Sequence, residues 1–78
     1  MWFVYLLKCS DNTLYCGITN NLEKRIATHN SGKGAKYTKS RRPVILFKVF
    51  EVSNKSEALK LEFKIKQMSR EEKLCLQQ

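Results

Sequence analysis

Apolar and polar positions along the chain follow two different rhythms. Residues 2–9 and 14–19 are short runs rich in aromatic and β-branched types, separated by Ser10-Asp11-Asn12-Thr13. That arrangement predicts a β-hairpin. Both runs are apolar on both faces, so the hairpin should be covered on each side. A two-residue loop at Asp11-Asn12 would send Tyr5 and Tyr15 to opposite faces. A three-residue loop, Asp11-Asn12-Thr13, pairs Cys9 with Tyr15 and brings Tyr5, Tyr15 and Gly17 to one face. Asn tolerates the left-handed region best, so Asn12 is expected there; a β-bulge would have the same effect.

Beyond the hairpin the period lengthens. Asn20-Asn21-Leu22-Glu23 reads as a capping box with Asn20 as N-cap, opening a helix to about Asn30. Arg25 and His29 are four residues apart, so they share a helical face beside the Leu22/Ile26 stripe. Residues 31–43 read as a loop rich in glycine and positive charge, and Val44–Val52 as a third strand after Pro43. Asn54-Lys55-Ser56-Glu57 opens a second helix from Lys55 to about Met68, with Ala58, Leu61, Ile65 and Met68 as its buried stripe. Ser69-Arg70-Glu71-Glu72 opens a short last helix through Leu76. The expected fold is α+β: a small three-stranded antiparallel sheet flanked by helices, in the order β-β-α-β-α-α. Glu62 falls inside the apolar stripe, between Ala58 and Ile65 in helical projection. It must pair with a cation, hold a metal, or sit at the open edge of the core.

Composition narrows the function. A chain of 78 residues has room for one domain, expected over 1–78, with no separate targeting domain. The chain carries 15 Lys and Arg against 7 Asp and Glu, and no acid lies between Glu23 and Glu51. That stretch holds Lys24, Arg25, Lys33, Lys36, Lys39, Arg41, Arg42 and Lys48. Clustered positive charge of this kind favours polyanions over a merely solvated surface. Cys9, Cys16 and Cys75 form no C-x-x-C pair and no metal spacing with His29, so free thiols in a reducing compartment are expected. The N-terminal apolar run stops at Lys8, too short for a membrane span and wrongly flanked for a signal peptide. A cytoplasmic location without membrane contact is expected.

Several short blocks carry a resemblance. Phe3-Val4-Tyr5, Tyr15-Cys16-Gly17, the run Gly17–Ile26 containing Arg25, Gly32-Lys33-Gly34-Ala35-Lys36-Tyr37-Thr38 and Glu62-Phe63-Lys64-Ile65-Lys66 occur in order along almost the whole chain. In this set the chain resembles the GIY-YIG nuclease superfamily, particularly its small stand-alone bacterial members. It departs from that pattern in having Phe3-Val4 for the first motif's Gly-Ile, and Cys16 at the centre of the second. The resemblance implies hydrolysis of a nucleic-acid phosphodiester, DNA ahead of RNA, aided by Mg²⁺ or Mn²⁺. It implies catalytic roles for Tyr5, Tyr15, Arg25 and His29 and a metal ligand in Glu62. Glu62 would supply a hard oxygen ligand, and Arg25 would clamp a phosphate oxygen. Either tyrosine would orient or deprotonate the attacking water, with nearby positive charge lowering its pKa. His29 would position a tyrosine or accept a proton, and Gly17 would let a phosphate approach the backbone. Lys33, Lys36, Lys39, Arg41 and Arg42 read as backbone contacts, with Tyr37 as a stacking ring among them. An Arg25–Glu62 ion pair is the structural alternative for those two residues.

Overall fold

The computed structural model describes residues 1–76; the last two positions of the expected 1–78 domain lie outside the described residues. Strands β1 (Trp2–Lys8) and β2 (Leu14–Thr19) form the hairpin, and β3 (Ile45–Val52) pairs with the far side of β1. The sheet is antiparallel with order β2-β1-β3, so β2 and β3 are edges. Helices α1 (Leu22–Asn30), α3 (Lys55–Lys66) and α4 (Arg70–Leu74) follow the expected order. One turn of helix, α2 (Lys36–Lys39), interrupts the segment expected to be all loop.

Strand alternation divides the core in two. Val4, Leu6 and Cys16 pack with Ala58 and Ile65 of α3, while Tyr5, Leu7, Cys9 and Val44 pack with Leu22 and Ile26 of α1. Both faces of β1 are therefore covered, as its unbroken apolar run requires. Ala58 and Ile65 are buried, and Leu61 and Met68 line the rim of the same cluster, matching the expected stripe.

The hairpin turn differs from the expected one by two residues of register. The loop is Ser10-Asp11-Asn12: the Asn12 amide donates to Cys9 O at 3.0 Å and the Cys9 amide to Thr13 O at 2.9 Å. Asn12 is left-handed, with φ of 67°. Cys9 thus faces Thr13, while Tyr15 faces Leu7 and Gly17 faces Tyr5. The cause is Asp11, whose carboxylate accepts from the Thr13 amide at 3.1 Å and the Thr13 hydroxyl at 2.6 Å. Thr13 is thereby held at the strand end rather than in the loop. A shift of two preserves side-chain parity, so Tyr5, Tyr15 and Gly17 still share a face.

The α1 cap is Asn21 rather than Asn20: its side chain accepts from the Lys24 amide. Thr19 explains the offset. Its hydroxyl accepts from the Asn21 amide at 3.1 Å and so keeps that residue outside the helix. With Lys24 at the third helical position, no reciprocal box forms. Asn54 caps α3 by accepting from the Glu57 amide, and Ser69–Glu72 forms the full expected box. The last two helices end at Lys66 and Leu74, each two residues short of the expected bounds.

Candidate active site

The face that carries Tyr5 is built around one buried chain of polar groups. Tyr5 is 1% exposed, and its hydroxyl lies 2.9 Å from His29 Nε2. His29 is fully buried, and its Nδ1 lies 2.8 Å from the Thr38 hydroxyl, itself fully buried on α2. Thr38 in turn donates to Ala35 O at 2.9 Å. Arg25, one turn before His29 on α1, donates from Nε to the Tyr5 oxygen at 3.4 Å. Tyr15 completes the group, with its ring centroid 6.5 Å from that of Tyr5 and 5.2 Å from that of His29. The fold therefore brings Tyr5, Tyr15, Arg25 and His29 together.

Burial sets the electrostatics of this chain. Loss of solvent pushes the Tyr5 phenol above its ordinary range, and the hydrogen bond and charge of Arg25 only partly oppose it. Burial holds the His29 imidazole below its ordinary range, and the Arg25 charge adds to the effect. Both groups rest neutral at pH 7. The positive charge expected to lower a tyrosine pKa is present, but at Tyr5 desolvation outweighs it.

Two glycines make the geometry possible. A Cβ on Gly17 would lie 2.5 Å from the Tyr5 hydroxyl oxygen and 3.2 Å from the Tyr15 ring. The space above Gly17 is thus filled by the Tyr5 phenol, not held open for a phosphate as expected. A Cβ on Gly34 would collide with His29 Nδ1 and lie 2.9 Å from the His29 Cα. No local pattern in the sequence marks Gly34 or Thr38 as a partner of His29. The block Gly32–Thr38 carries a family signal, but its separation from His29 has no helical or strand period that reveals contact.

The basic segment 31–43 is anchored at several points. Asn30 donates to Val44 O at 3.0 Å and accepts from the Val44 amide at 2.7 Å, tying the end of α1 to the approach to β3. Arg41 pairs with Asp11 at 3.0 Å, donates to Tyr37 O at 2.8 Å, and places its guanidinium 4.0 Å from the Tyr37 ring centroid. Arg42 donates to Lys39 O at 2.9 Å. The Tyr37 ring also stacks on Tyr15, at 5.8 Å and 28°. These expected nucleic-acid contacts are already engaged within the fold. Lys33, Lys36 and Lys39 lie exposed on the same segment, and among the described residues their side chains make no such anchors.

Glu62 stands apart from this group. It lies on α3, which packs against the sheet face opposite α1. Its side chain is 19% exposed, and Lys66 Nζ lies 3.6 Å away. Its charge reaches edge strand β2, where it acts after burial to push the Cys16 thiol up to about 11. Among the described residues Arg25 makes no ion pair with Glu62, so the structural alternative for the two is not realised. Nor does any group of three or more His, Cys, Asp and Glu residues there suit a metal ion. Cys9 and Cys16 are buried free thiols and Cys75 is exposed.

An open groove of about 240 Å³ beside Arg25 is lined by Thr19, Asn20, Asn21, Lys24 and Thr28. A larger one, about 570 Å³, runs between Asn30 and Pro43 past Lys39 and Arg42. No tyrosine or histidine lines either groove, and Arg25 lines only the smaller. The smaller groove touches the Tyr5–His29 chain only through Arg25, whose Nε lies 3.4 Å from the Tyr5 oxygen. Comparison with known proteins agrees with this architecture. A UPF0213 protein of Staphylococcus haemolyticus, SH2523, is 60% identical over 72 residues, covering 92% of this chain and 88% of that protein. The solution NMR structure of the UPF0213 protein BH0048 from Bacillus halodurans is 42% identical with a TM-score of 0.58, covering 94% of this chain and 79% of that one. The solution NMR structure of EF2693 from E. faecalis is 39% identical with a TM-score of 0.63, covering 92% and 77%. The model of the GIY-YIG catalytic domain matches residues 1–74, and with its tyrosines, arginine and histidine on one face this chain belongs to the GIY-YIG family.

Proposed function

We propose that the protein is a phosphodiester hydrolase acting on nucleic acid, with DNA as the preferred substrate. The observation that carries this reading is the convergence of Tyr5, Tyr15, Arg25 and His29 beside an open basic groove in a GIY-YIG domain. Arg25 binds a phosphate oxygen from the groove, its planar fork suiting that geometry. In doing so its guanidinium leaves the Tyr5 oxygen, a bond already long at 3.4 Å. Water then reaches the phenol. Tyr5 takes a proton from that water as it passes its own proton to His29 Nε2, 2.9 Å away. The hydroxide forms the new P–O bond, the bond to the leaving oxygen breaks, and that oxygen takes a proton from solvent. Tyr15, half-buried and packed on His29, walls this path.

Glu62 suits a hard divalent cation in one respect: a single, partly exposed carboxylate whose nearest cation, Lys66, stands beyond hydrogen-bond distance at 3.6 Å. Mg²⁺ is commonly held by one or two carboxylates with water and phosphate in its other positions. Glu62, whose charge is felt at Cys16 beside Tyr15 on edge strand β2, would hold Mg²⁺ or Mn²⁺, whose chemistry is to stabilise charge on a phosphate that spans that edge and on its leaving oxygen. Lys33, Lys36 and Lys39 contact phosphates, which position a strand without reading its sequence, so selectivity is for structure.

The test is incubation with Mg²⁺ or Mn²⁺ and single-stranded, nicked, branched and duplex DNA, with matched RNA. Cleavage is expected on DNA, falling about 10²-fold or more for Arg25→Ala and for Glu62→Ala. Cutting that survives both substitutions unchanged belongs to a contaminant and ends the assignment.

A second reading is a nucleic-acid-binding module without catalysis. It is favoured by the seating of Glu62 on the helix opposite the tyrosine face and by the closed, neutral Tyr5–His29 pair. Salt-dependent binding with no cleavage of any substrate selects it.

A further inference from the structure

The buried chain has a direction, and Thr38 decides it. At the Tyr5 oxygen the two polar neighbours are Arg25 Nε and His29 Nε2. An arginine can only donate, so the phenol proton of this 1% exposed tyrosine has one acceptor, His29 Nε2. Leaving that proton unpaired would cost about 1–3 kcal/mol. Nε2 therefore carries no hydrogen, and a neutral imidazole must carry it on Nδ1. Nδ1 faces the Thr38 hydroxyl at 2.8 Å, and that hydroxyl spends its own proton on Ala35 O at 2.9 Å. The Ala35 amide also points at Nδ1, but from 3.5 Å, the limit of hydrogen-bond contact.

We propose that Thr38 is a positioning residue that fixes His29 in the Nδ1-protonated form, keeping Nε2 open as the proton acceptor for Tyr5. Its use in catalysis rests on the hydrolase reading above, whereas the tautomer does not. The role also ties chemistry to binding. Thr38 sits on α2, inside the segment that presents Lys33, Lys36 and Lys39, so the proton acceptor is set only when that segment is docked.

Removing the hydroxyl leaves the distant Ala35 amide as the remaining polar neighbour of Nδ1. That group donates, so it favours the imidazole proton on Nε2, opposed only by the Tyr5 phenol proton, which needs Nε2 bare. Two-bond ¹H–¹⁵N correlation spectra of the imidazole read this in the whole protein without substrate. The native protein should show an unprotonated Nε2 and a protonated Nδ1. Thr38→Val should reverse or mix the two, and Thr38→Ser should keep the native pattern. A native spectrum with Nε2 protonated overturns the proposal, as does a folded Thr38→Val with the native spectrum. If Thr38→Val does not fold, Thr38→Ala removes the same hydroxyl and its spectrum decides it. In cleavage assays Thr38→Val should lower kcat about 10²-fold with little change in KM, and Thr38→Ser should restore it. Unchanged kcat in Thr38→Val removes the catalytic role. A protein that cuts nothing, yet shows the expected tautomer and loses it when the Thr38 hydroxyl is removed, ends the hydrolase reading and upholds the assignment of Thr38.

Discussion

Gly17 and Gly34 each leave room for a ring rather than for a bend of the chain. A methyl group at position 17 meets the Tyr5 hydroxyl at 2.5 Å, and Tyr5 is locked between Arg25 and His29. Gly17→Ala should therefore cost about 1–3 kcal/mol, the range for overpacking a dense core, as measured by urea denaturation. A cost near zero would mean the Tyr5 ring moves freely. His29 yields a pH dependence. Its folded pKa lies below the ordinary value of 6.5, so the unfolded chain binds the proton first as pH falls. Stability present above about pH 6.5 should be lost as pH falls toward the folded value, then level off. Denaturation at about pH 7.5 and 5.5 should show this loss, and His29→Gln should flatten it. Which tyrosines and which glycine share a face was readable from the alternation of the strands, because the register slip was even. The partner of His29 was not. Thr38 reaches it through a loop whose path no local pattern specifies.

At the scale of elements, Asn30 carries a disproportionate share of the order. Its amide both donates to and accepts from the Val44 backbone, so one side chain closes the segment between α1 and β3. Asn30→Ala should cost about 1–3 kcal/mol, since it leaves two backbone groups of the buried Val44 without partners. It should also raise hydrogen exchange across residues 31–43; exchange unchanged there would assign the anchoring to Arg41 and Asp11 alone. The helices with apolar stripes, α1 and α3, were readable because an amphipathic face declares itself over several turns. The one-turn α2 was not, because so short a helix holds no period. It forms where Thr38 meets His29 and Tyr37 stacks on Tyr15, contacts made only in the folded chain. The shifted cap of α1 has the same character: Thr19 and Asn21 settle it between them through one hydrogen bond.

Across the whole molecule, charge and shape make separate predictions for residues that look alike in the sequence. Replacing Lys33, Lys36 or Lys39 by Ala should weaken nucleic-acid binding and lower the slope of log K against log salt by about 1 for each phosphate that is no longer neutralised. Stability should stay within about 0.5 kcal/mol, since these side chains are not anchored in the fold. Arg41→Ala should instead reduce stability, because its guanidinium holds Asp11, Tyr37 O and the Tyr37 ring. Binding isotherms over a salt series, run beside denaturation of each variant, separate the two classes. An Arg41 variant of native stability with a reduced salt slope would return that residue to the binding surface. No helix among the described residues is long and apolar enough to cross a membrane.

Local chemistry along the chain was enough for the strands, the two amphipathic helices, the left-handed Asn12 and the clustering of positive charge. Each of these depends on residues a few positions apart, and the side-chain periods of 2 and 3.6 carry that information. The ordered blocks along it added the family. Tertiary packing decided the rest: that Tyr5 is closed and neutral, that Gly17 accommodates a phenol, that Arg41 is engaged within the fold, and that Glu62 is carried by the helix packed on the other face of the sheet. These outcomes depend on desolvation and on distances between segments far apart in the chain. Such quantities exist only once both faces of β1 are covered.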